Sequence, residues 1–320
     1  MSDRGAVPKL KAARWRQAGF SLIELLVTTV VVLIIGGVSM SGMQRLARSQ
    51  GTISNRTEMH SAVRGATELL QQEIGQAGGI GVPTQDITLG AAITAAGTTI
   101  ATLSPTGAAS GMFVGQQVVI DAGDNEETVT LTAVDTTTDA ITANFNNTHA
   151  SGAPVKIQGA FATGVVPTTA TNGSTGNVLK LYGDLNDDGN MLYVEYVCNT
   201  GTSGNAGNLY RNAMPISATL KPALTPAMVL LPNIIANPDG SPCFTYQQKT
   251  VGTNTYVVNV AVTLTVQTGL KDPQTGQYQT ETKALLNVSP RNVFQGWQFA
   301  SGDVKNRVQP MPATVSALLQ

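Results

Sequence analysis

The hydrophobic and polar positions divide the chain into an apolar run, an amphipathic run and a long alternating region. Residues 20–43 are almost wholly apolar, and a run of ~20 such residues is long enough to cross a bilayer as a helix. From residue 44 to 77 apolar residues recur mostly at steps of three, four or seven, which predicts that the same helix continues with one apolar stripe. The residues of that stripe are Leu46, Ile53, Met59, Val63, Ala66, Leu70 and Ile74.

From residue 84 onward the pattern changes to short alternating or β-branched runs, separated by Gly, Asn, Asp and Pro, which predicts strands. Four of them form a compact β module inserted at about 90–158, with 90–111 as a linker or an extra strand. The predicted fold class is α+β, with a long N-terminal helix packed on a β-sheet head that carries this module. The predicted strands are 118–121, 127–134, 140–145 and 154–157 in the module, then 178–182, 191–198, 256–267 and 282–288.

Composition and charge favour an exported, β-rich protein over a cytosolic enzyme. Charged residues make up 12% of the chain, about half the usual share for a soluble protein. The formal net charge is −1, and because residues 1–19 carry +4, the remainder carries −5. Such a surface gives no general electrostatic case for binding nucleic acid. The sequence has no nucleophile elbow, P-loop or dinucleotide glycine fingerprint, so an enzyme is the least favoured class.

Glu24 lies near the start of the apolar run, where a carboxylate is costly. Insertion scales put that cost at roughly 2.5–3.5 kcal/mol, so an intramembrane carboxylate marks a functional site by default. If the chain is cut after Gly19, Phe20 gains an amine and Glu24 becomes the fifth residue, on the same helix face. An ordinary secretory signal, cut beyond the apolar run, is the alternative. The length of the run and its carboxylate argue against that alternative.

The segment from Gly19 to Glu24, with its basic leader, resembles the prepilin cleavage and methylation motif. The resemblance implies that a membrane aspartyl peptidase cuts after Gly19 and methylates the amine of Phe20, and that Glu24 sets register during assembly. A chance match in an ordinary membrane anchor is the alternative. The resulting domain prediction is a leader at 1–19, a transmembrane helix at 20–43, its amphipathic half at 44–77 and a β-rich head at 78–320. The basic flank predicts a cytoplasmic N-terminus and a periplasmic head.

Cys198 and Cys243 are the two cysteines of the chain. In an oxidising compartment they predict one disulfide that closes a loop of about 45 residues and contributes on the order of 3–4 kcal/mol. Two separate buried thiols are the alternative. Their spacing matches no compact zinc site.

Asp184, Asn186 and Asp188, followed by Gly189 and Glu195, match the spacing of a calcium loop. In such loops the last ligand lies on a helix, whereas 191–198 is predicted as a strand. A strand would carry Glu195 roughly 16 Å beyond Asn190, too far to reach the same ion. Two readings therefore stay open, a partial calcium site at the first three residues and a solvated hairpin turn.

Scattered features of the head resemble PilW-like minor pilins of type IV pilus assembly. They are a strand, an acidic turn, a tyrosine-bearing strand, the step from Asn208 to Arg211 and the late Pro290-Arg291-Asn292. The resemblance implies a minor pilin subunit that initiates or caps a type IV pilus. The alternatives are a pseudopilin of a type II secretion system, or a tip adhesin that displays the inserted module. Implied partners are other minor and major pilins, the prepilin peptidase, the inner-membrane assembly platform and membrane lipid.

Overall fold

A single long helix, α1 (Leu22–Gln76), joins the N-terminal end of the chain to a β-rich head. The computed structural model describes residues 19–82 and 85–320. At 55 residues, α1 extends over ~83 Å. The helix and the β-rich region after it confirm the predicted α+β, pilin-like fold class.

Only the C-terminal half of α1 packs on the head. Leu46 and Ile53, which the sequence pattern placed on the buried stripe, are exposed, so that prediction was wrong at both positions. Leu46 precedes the part of α1 that the head covers, and Ile53 lies on the side of the helix that the head leaves uncovered. The buried residues of α1 are Met59, Val63, Ala66, Thr67, Leu70, Glu73 and Ile74.

The helix ends where two glycine backbones meet. Gly78 has φ +83°, a conformation that side chains other than glycine rarely adopt, and it donates its N–H to Tyr182 O at 2.9 Å. A Cβ on Gly164 would lie 2.1 Å from the Cα of Gly78. Any side chain at either position would therefore push the end of α1 away from the head.

The inserted region is a closed antiparallel barrel with its own apolar core. Its strand order is β1-β2-β5-β4-β3-β6. The barrel is larger than predicted, because 90–111 contains a full strand and another strand precedes it. Its strands are β1 (Ile87–Leu89), β2 (Gly97–Ser104), β3 (Gln117–Ile120), β4 (Glu127–Asp135), β5 (Ala140–Phe145) and β6 (Pro154–Ile157). A short strand, β7 (Ala160–Phe161), follows.

A seven-stranded antiparallel sheet forms the rest of the head and receives α1 on one face. Its order is β12-β13-β11-β10-β9-β8, and β14 pairs with β13. The strand predictions at 178–182, 191–198, 256–267 and 282–288 fall on four of these strands, but β10, β11 and β12 were not predicted. The strands are β8 (Val178–Gly183), β9 (Leu192–Asn199), β10 (Gly207–Pro215), β11 (Val229–Ile235), β12 (Phe244–Val251), β13 (Asn254–Gln267) and β14 (Thr280–Val288).

The C-terminal segment links the barrel to the sheet. Helix α2 (Arg291–Ser301) is followed by β15 (Val308–Gln309), which pairs in parallel with β7, and by α3 (Ala313–Leu318). The buried amide of Gln309 accepts the N–H of Gln117 at 2.8 Å and donates to the carbonyl oxygens of Gln117 (2.7 Å) and Gln158 (2.9 Å). One side chain therefore fastens β3 and the exit of the barrel to the C-terminal segment.

Candidate functional site

The processing and assembly residues predicted from the sequence lie at the start of α1. Gly19 and Phe20 are exposed and immediately precede the helix. The carbonyl oxygen of Ser21 accepts the N–H groups of Glu24 (3.0 Å) and Leu25 (3.1 Å), which places Glu24 in the first helical turn. Residues 1–18 of the predicted leader lie outside the described residues.

The N-terminal half of α1 has no cover from the rest of the described chain. Its most apolar 18-residue window is 0% buried, and no residue from 22 to 48 is buried. Length and composition make α1 the candidate membrane span among the described residues. An apolar surface of this length must be covered by lipid or by other helices, because its exposure to water is unfavourable.

Residues 16–40 match the family model described as the prokaryotic N-terminal methylation motif. The match supports a type IV pilin-like prepilin. No curated protein and no solved structure matches the chain. The motif suggests a structural subunit rather than an enzyme, and it implies interaction with other pilins and with the prepilin peptidase in general. Together with the apolar helix, it supports membrane anchoring and association with a pilus.

A buried ionic cluster fixes the other half of α1 to the sheet. Glu73 of α1 is 1% exposed and pairs with Arg211 of β10, whose Nε donates to Glu73 Oε1 at 3.0 Å. The hydroxyl of Tyr196, on β9, donates to Glu73 Oε2 at 2.5 Å. Burial and the neighbouring Glu73 carboxylate raise the pKa of Tyr196, so this phenol stays protonated and keeps donating. Both carboxylate oxygens are thereby satisfied inside the core.

The predicted cysteines are joined in the structure. Cys198, in β9, and Cys243, immediately before β12, form a disulfide with an S–S distance of 2.00 Å. Both cysteines are buried in the core between the sheet and α1. The bond thus connects β9 to the start of β12, a strand that is not its neighbour in the order of the sheet.

The predicted calcium residues occupy the turn between β8 and β9. Both carboxylate oxygens of Asp184 accept backbone N–H groups of the same turn, from Asp188 (3.1 Å) and Gly189 (2.9 Å). Asp188 caps the N–H of Asn190 at 2.9 Å, and Asn186 is exposed. These bonds are the ones that a hairpin turn needs, and among the described residues no group of three or more His, Cys, Asp or Glu side chains is arranged to hold a metal ion. Calcium binding remains a prediction.

Glu195, the last position of the calcium pattern, lies in β9 and has other partners. Its Oε1 accepts hydrogen bonds from the Tyr193 hydroxyl at 2.5 Å and from Lys221 at 3.0 Å, and Lys180 lies 3.4 Å away. The strand prediction for this segment thus holds, and Glu195 belongs to a buried salt-bridge cluster on the sheet. Burial lowers the pKa of Lys180 despite the charge of Glu195.

His149, to which the sequence assigned no role, is the centre of a buried cluster in the barrel. Its Nδ1 lies 3.1 Å from Asp121 Oδ2, and its Nε2 lies 2.7 Å from Glu127 Oε1. Burial alone would lower the pKa of His149, but the hydrogen bonds with Glu127 and Asp121 outweigh it and raise the pKa. A carboxylate at each ring nitrogen favours the imidazolium form. The acidic residues of the β3–β4 turn were the only feature of the sequence that pointed to this cluster.

Proposed function

We propose that this protein is a minor pilin, processed by a prepilin peptidase, that takes part in initiating or capping type IV pilus assembly. The observation that carries the proposal is the uncovered apolar half of α1, which begins with the methylation motif. Its other half is fixed to the head by Glu73 and Arg211, so the uncovered half projects from the head as a continuous helix.

Assembly follows from what that surface requires. In the membrane, lipid covers the apolar side chains of residues 22–43, and in a pilus the corresponding helices of other subunits would replace the lipid. Glu24 is the one carboxylate in this stretch, and a carboxylate in an apolar bundle needs a positive partner. The amine that cleavage would create on Phe20 is such a partner, on the same subunit or a neighbour.

The size of the head favours an end position over a repeating one. A barrel of six strands is added to a sheet that already covers α1. A repeating fibre favours small heads that pack side by side, whereas a subunit at the tip has open space around it. A priming or capping role at the tip accommodates the barrel.

Two alternative roles use the same anchor. A pseudopilin of a type II secretion system would have the same motif and helix. A tip adhesin would use the barrel for attachment, and the closed strand order and separate apolar core of the barrel favour this role as an addition to priming.

The decisive experiment removes the gene and measures surface pili and secreted enzymes in the same cultures. We expect pili to be lost and secretion to continue. Wild-type protein should restore pili, Glu24→Ala should restore them poorly, and Glu58→Ala, an exposed acid on the head-bound half of α1, should restore them fully. Normal pili with lost secretion would contradict the proposal and identify a pseudopilin. A barrel deletion that keeps pilus number but loses attachment would add the adhesin role.

A further inference from the structure

The β13–β14 hairpin runs down α1 toward the membrane half of the helix. Three polar contacts, taken in order along α1 toward its N-terminus, involve residues progressively nearer the hairpin tip. Beyond these three, the hairpin tip itself contacts α1, since a Cβ on Gly51 would lie 3.1 Å from the Pro273 ring. The polar contacts are His60 Nδ1 with Glu281 Oε2 (2.5 Å), Arg56 Nε with Gln279 Oε1 (2.5 Å) and Thr52 Oγ1 with Asp272 Oδ1 (2.7 Å).

This register places the hairpin tip next to the membrane surface. The predicted transmembrane stretch ends at Met43, and the eight residues from there to Gly51 rise ~12 Å along the helix. The headgroup layer accounts for roughly 5–8 Å on each side of a bilayer. Membrane helices tilt by about 20° on average, which lowers one side of the head further. The tip therefore lies within reach of the lipid headgroups.

The side chains at this level are those that interfaces attract. Leu270 is 69% exposed, although it lies on a hairpin attached to the head. Lys271 Nζ lies 5.7 Å from the ring centroid of Tyr278, across the hairpin. Amphipathic tyrosine and long basic side chains both favour the boundary between lipid and water.

The exposed charges near the hairpin tip are mainly positive. Arg45 and Arg48 are exposed on α1 just below the hairpin, and the helix has no acid between Glu24 and Glu58. The nearby Asp272 is buried and turned inward, where its carboxylate accepts hydrogen bonds from Thr52 and Gln279. The surface facing the membrane is thus basic and apolar, which complements anionic headgroups.

We propose that Leu270, Lys271 and Tyr278 form a membrane foot on which the head rests against phospholipid headgroups before assembly. Leu270 and Tyr278 enter the interfacial layer, and Lys271, with Arg45 and Arg48, contacts lipid phosphates. The foot would fix the height and tilt of the head above the bilayer. This inference rests on the proposed insertion of residues 20–43 in the membrane, so its test measures that insertion separately.

The test uses the full chain in vesicles of phosphatidylethanolamine and phosphatidylglycerol, with variants that each gain one tryptophan and with lipids brominated near the headgroup. Leu270→Trp reports the foot and Leu33→Trp reports insertion of the helix. Leu220→Trp is the matched control, because Leu220 is also exposed but follows β10, at the end of the sheet remote from the hairpin. The fluorescence of the parent chain, which contains Trp15 and Trp297, is subtracted.

We expect the emission of Leu270→Trp to shift to shorter wavelength and to lose intensity with the brominated lipid, while Leu220→Trp changes in neither respect. Adding Lys271→Glu to the Leu270→Trp variant should remove most of that quenching, whereas adding Lys283→Glu, an exposed lysine of β14, should leave it. The proposed membrane foot is contradicted if Leu270→Trp behaves like Leu220→Trp while Leu33→Trp is quenched. Loss of quenching at Leu33→Trp would instead reject the membrane insertion.

Discussion

The sheet and the barrel both bury charged side chains, but they do so with different chemistry. In the Glu73 cluster between the sheet and α1 the cation is Arg211, which stays charged at any physiological pH. Burial alone would lower the pKa of Arg211, and the hydrogen bond and charge of Glu73 reverse that effect and raise it. In the barrel the cation is His149, whose charge depends on pH in the range where proteins work.

The two clusters also differ in what they connect. The pair of Glu73 and Arg211 joins residues 138 positions apart and ties α1 to the middle of the sheet. The cluster of His149 joins the β3–β4 turn to the loop after β5, so all of its members lie within the barrel. The first cluster therefore stabilises the union of helix and head, and the second stabilises one end of an inserted module.

The largest effect should follow from breaking the cluster in the sheet. Arg211→Met leaves the Glu73 carboxylate buried without its cation, and we expect the free energy of unfolding of the full chain to fall by about 3–5 kcal/mol. Urea unfolding of the detergent-solubilised protein measures this. Arg64→Met is the control, because the Arg64–Glu68 pair lies on the exposed face of the same helix and should contribute less than about 0.5 kcal/mol.

A double variant separates pairing from packing in that cluster. Glu73→Leu with Arg211→Met replaces both charges by apolar groups, and we expect it to recover much of the stability that Arg211→Met loses. Equal stability of Arg211→Met and wild type would show that Glu73 is not held by this pair, and the comparison between sheet and barrel would then fail.

A smaller effect should follow from loosening the joint between the two regions. Gln309→Ala leaves the N–H and C=O of Gln117 and the C=O of Gln158 without their partner in a buried place. We expect a loss of about 1–3 kcal/mol, together with faster amide exchange in β3 and β6. The control is Asn306→Ala, which removes an exposed hydrogen bond to Thr128 at the same joint. Slow exchange in both variants would show that the barrel is held by its apolar contacts alone.

Local pattern predicted the long helix well but could not predict which part of it the head covers. The helix was predicted over 20–77 and spans Leu22–Gln76. Leu46 and Leu70 were both assigned to the apolar stripe, yet Leu46 is exposed and Leu70 is fully buried. At 3.6 residues per turn the two side chains lie roughly 120° apart around the helix, and Leu46 also precedes the part of α1 that the head covers. Where that covered part begins depends on the sheet, which the sequence of the helix does not encode.

The ionic clusters could not be predicted from the sequence either, because their members meet only in the folded structure. Glu73 appeared in the sequence as one acid on a helix, and nothing near it in the chain identifies Arg211 as its partner. His149 lies 22 residues from Glu127 and 28 from Asp121, and only closure of the barrel brings them together. By contrast, Gly19, Phe20 and Glu24 form a contiguous motif that needs no tertiary structure to be recognised.

The pH dependence of the stability of the barrel is the smallest expected effect. It also gives the sharpest test of the difference between the His149 cluster and the Arg211 cluster. The pKa of His149 is raised in the folded protein, so its stabilising contribution is complete below its unfolded pKa of about 6.5. The contribution is lost as pH rises through the folded pKa. The hydrogen bond with His149 lowers the pKa of Asp121. Burial alone would raise the pKa of Glu127, but its hydrogen bonds outweigh burial and lower it. The stabilising contributions of both carboxylates are therefore lost as pH falls through their pKa values in the folded protein.

The cluster should therefore stabilise the barrel most between about pH 4 and 6.5, and this stabilisation should decrease in alkaline solution. We expect amide exchange around the β3–β4 turn to accelerate more from pH 6.5 to 9 than the intrinsic chemistry requires, while β9 and β10 around Arg211 show no such excess. His149→Gln should abolish the excess, because a glutamine does not titrate. The effect is smaller than in Arg211→Met, since a neutral imidazole still donates one hydrogen bond. An equal excess around Arg211 would mean that the two clusters respond alike, and that the difference between arginine and histidine does not set the pH response.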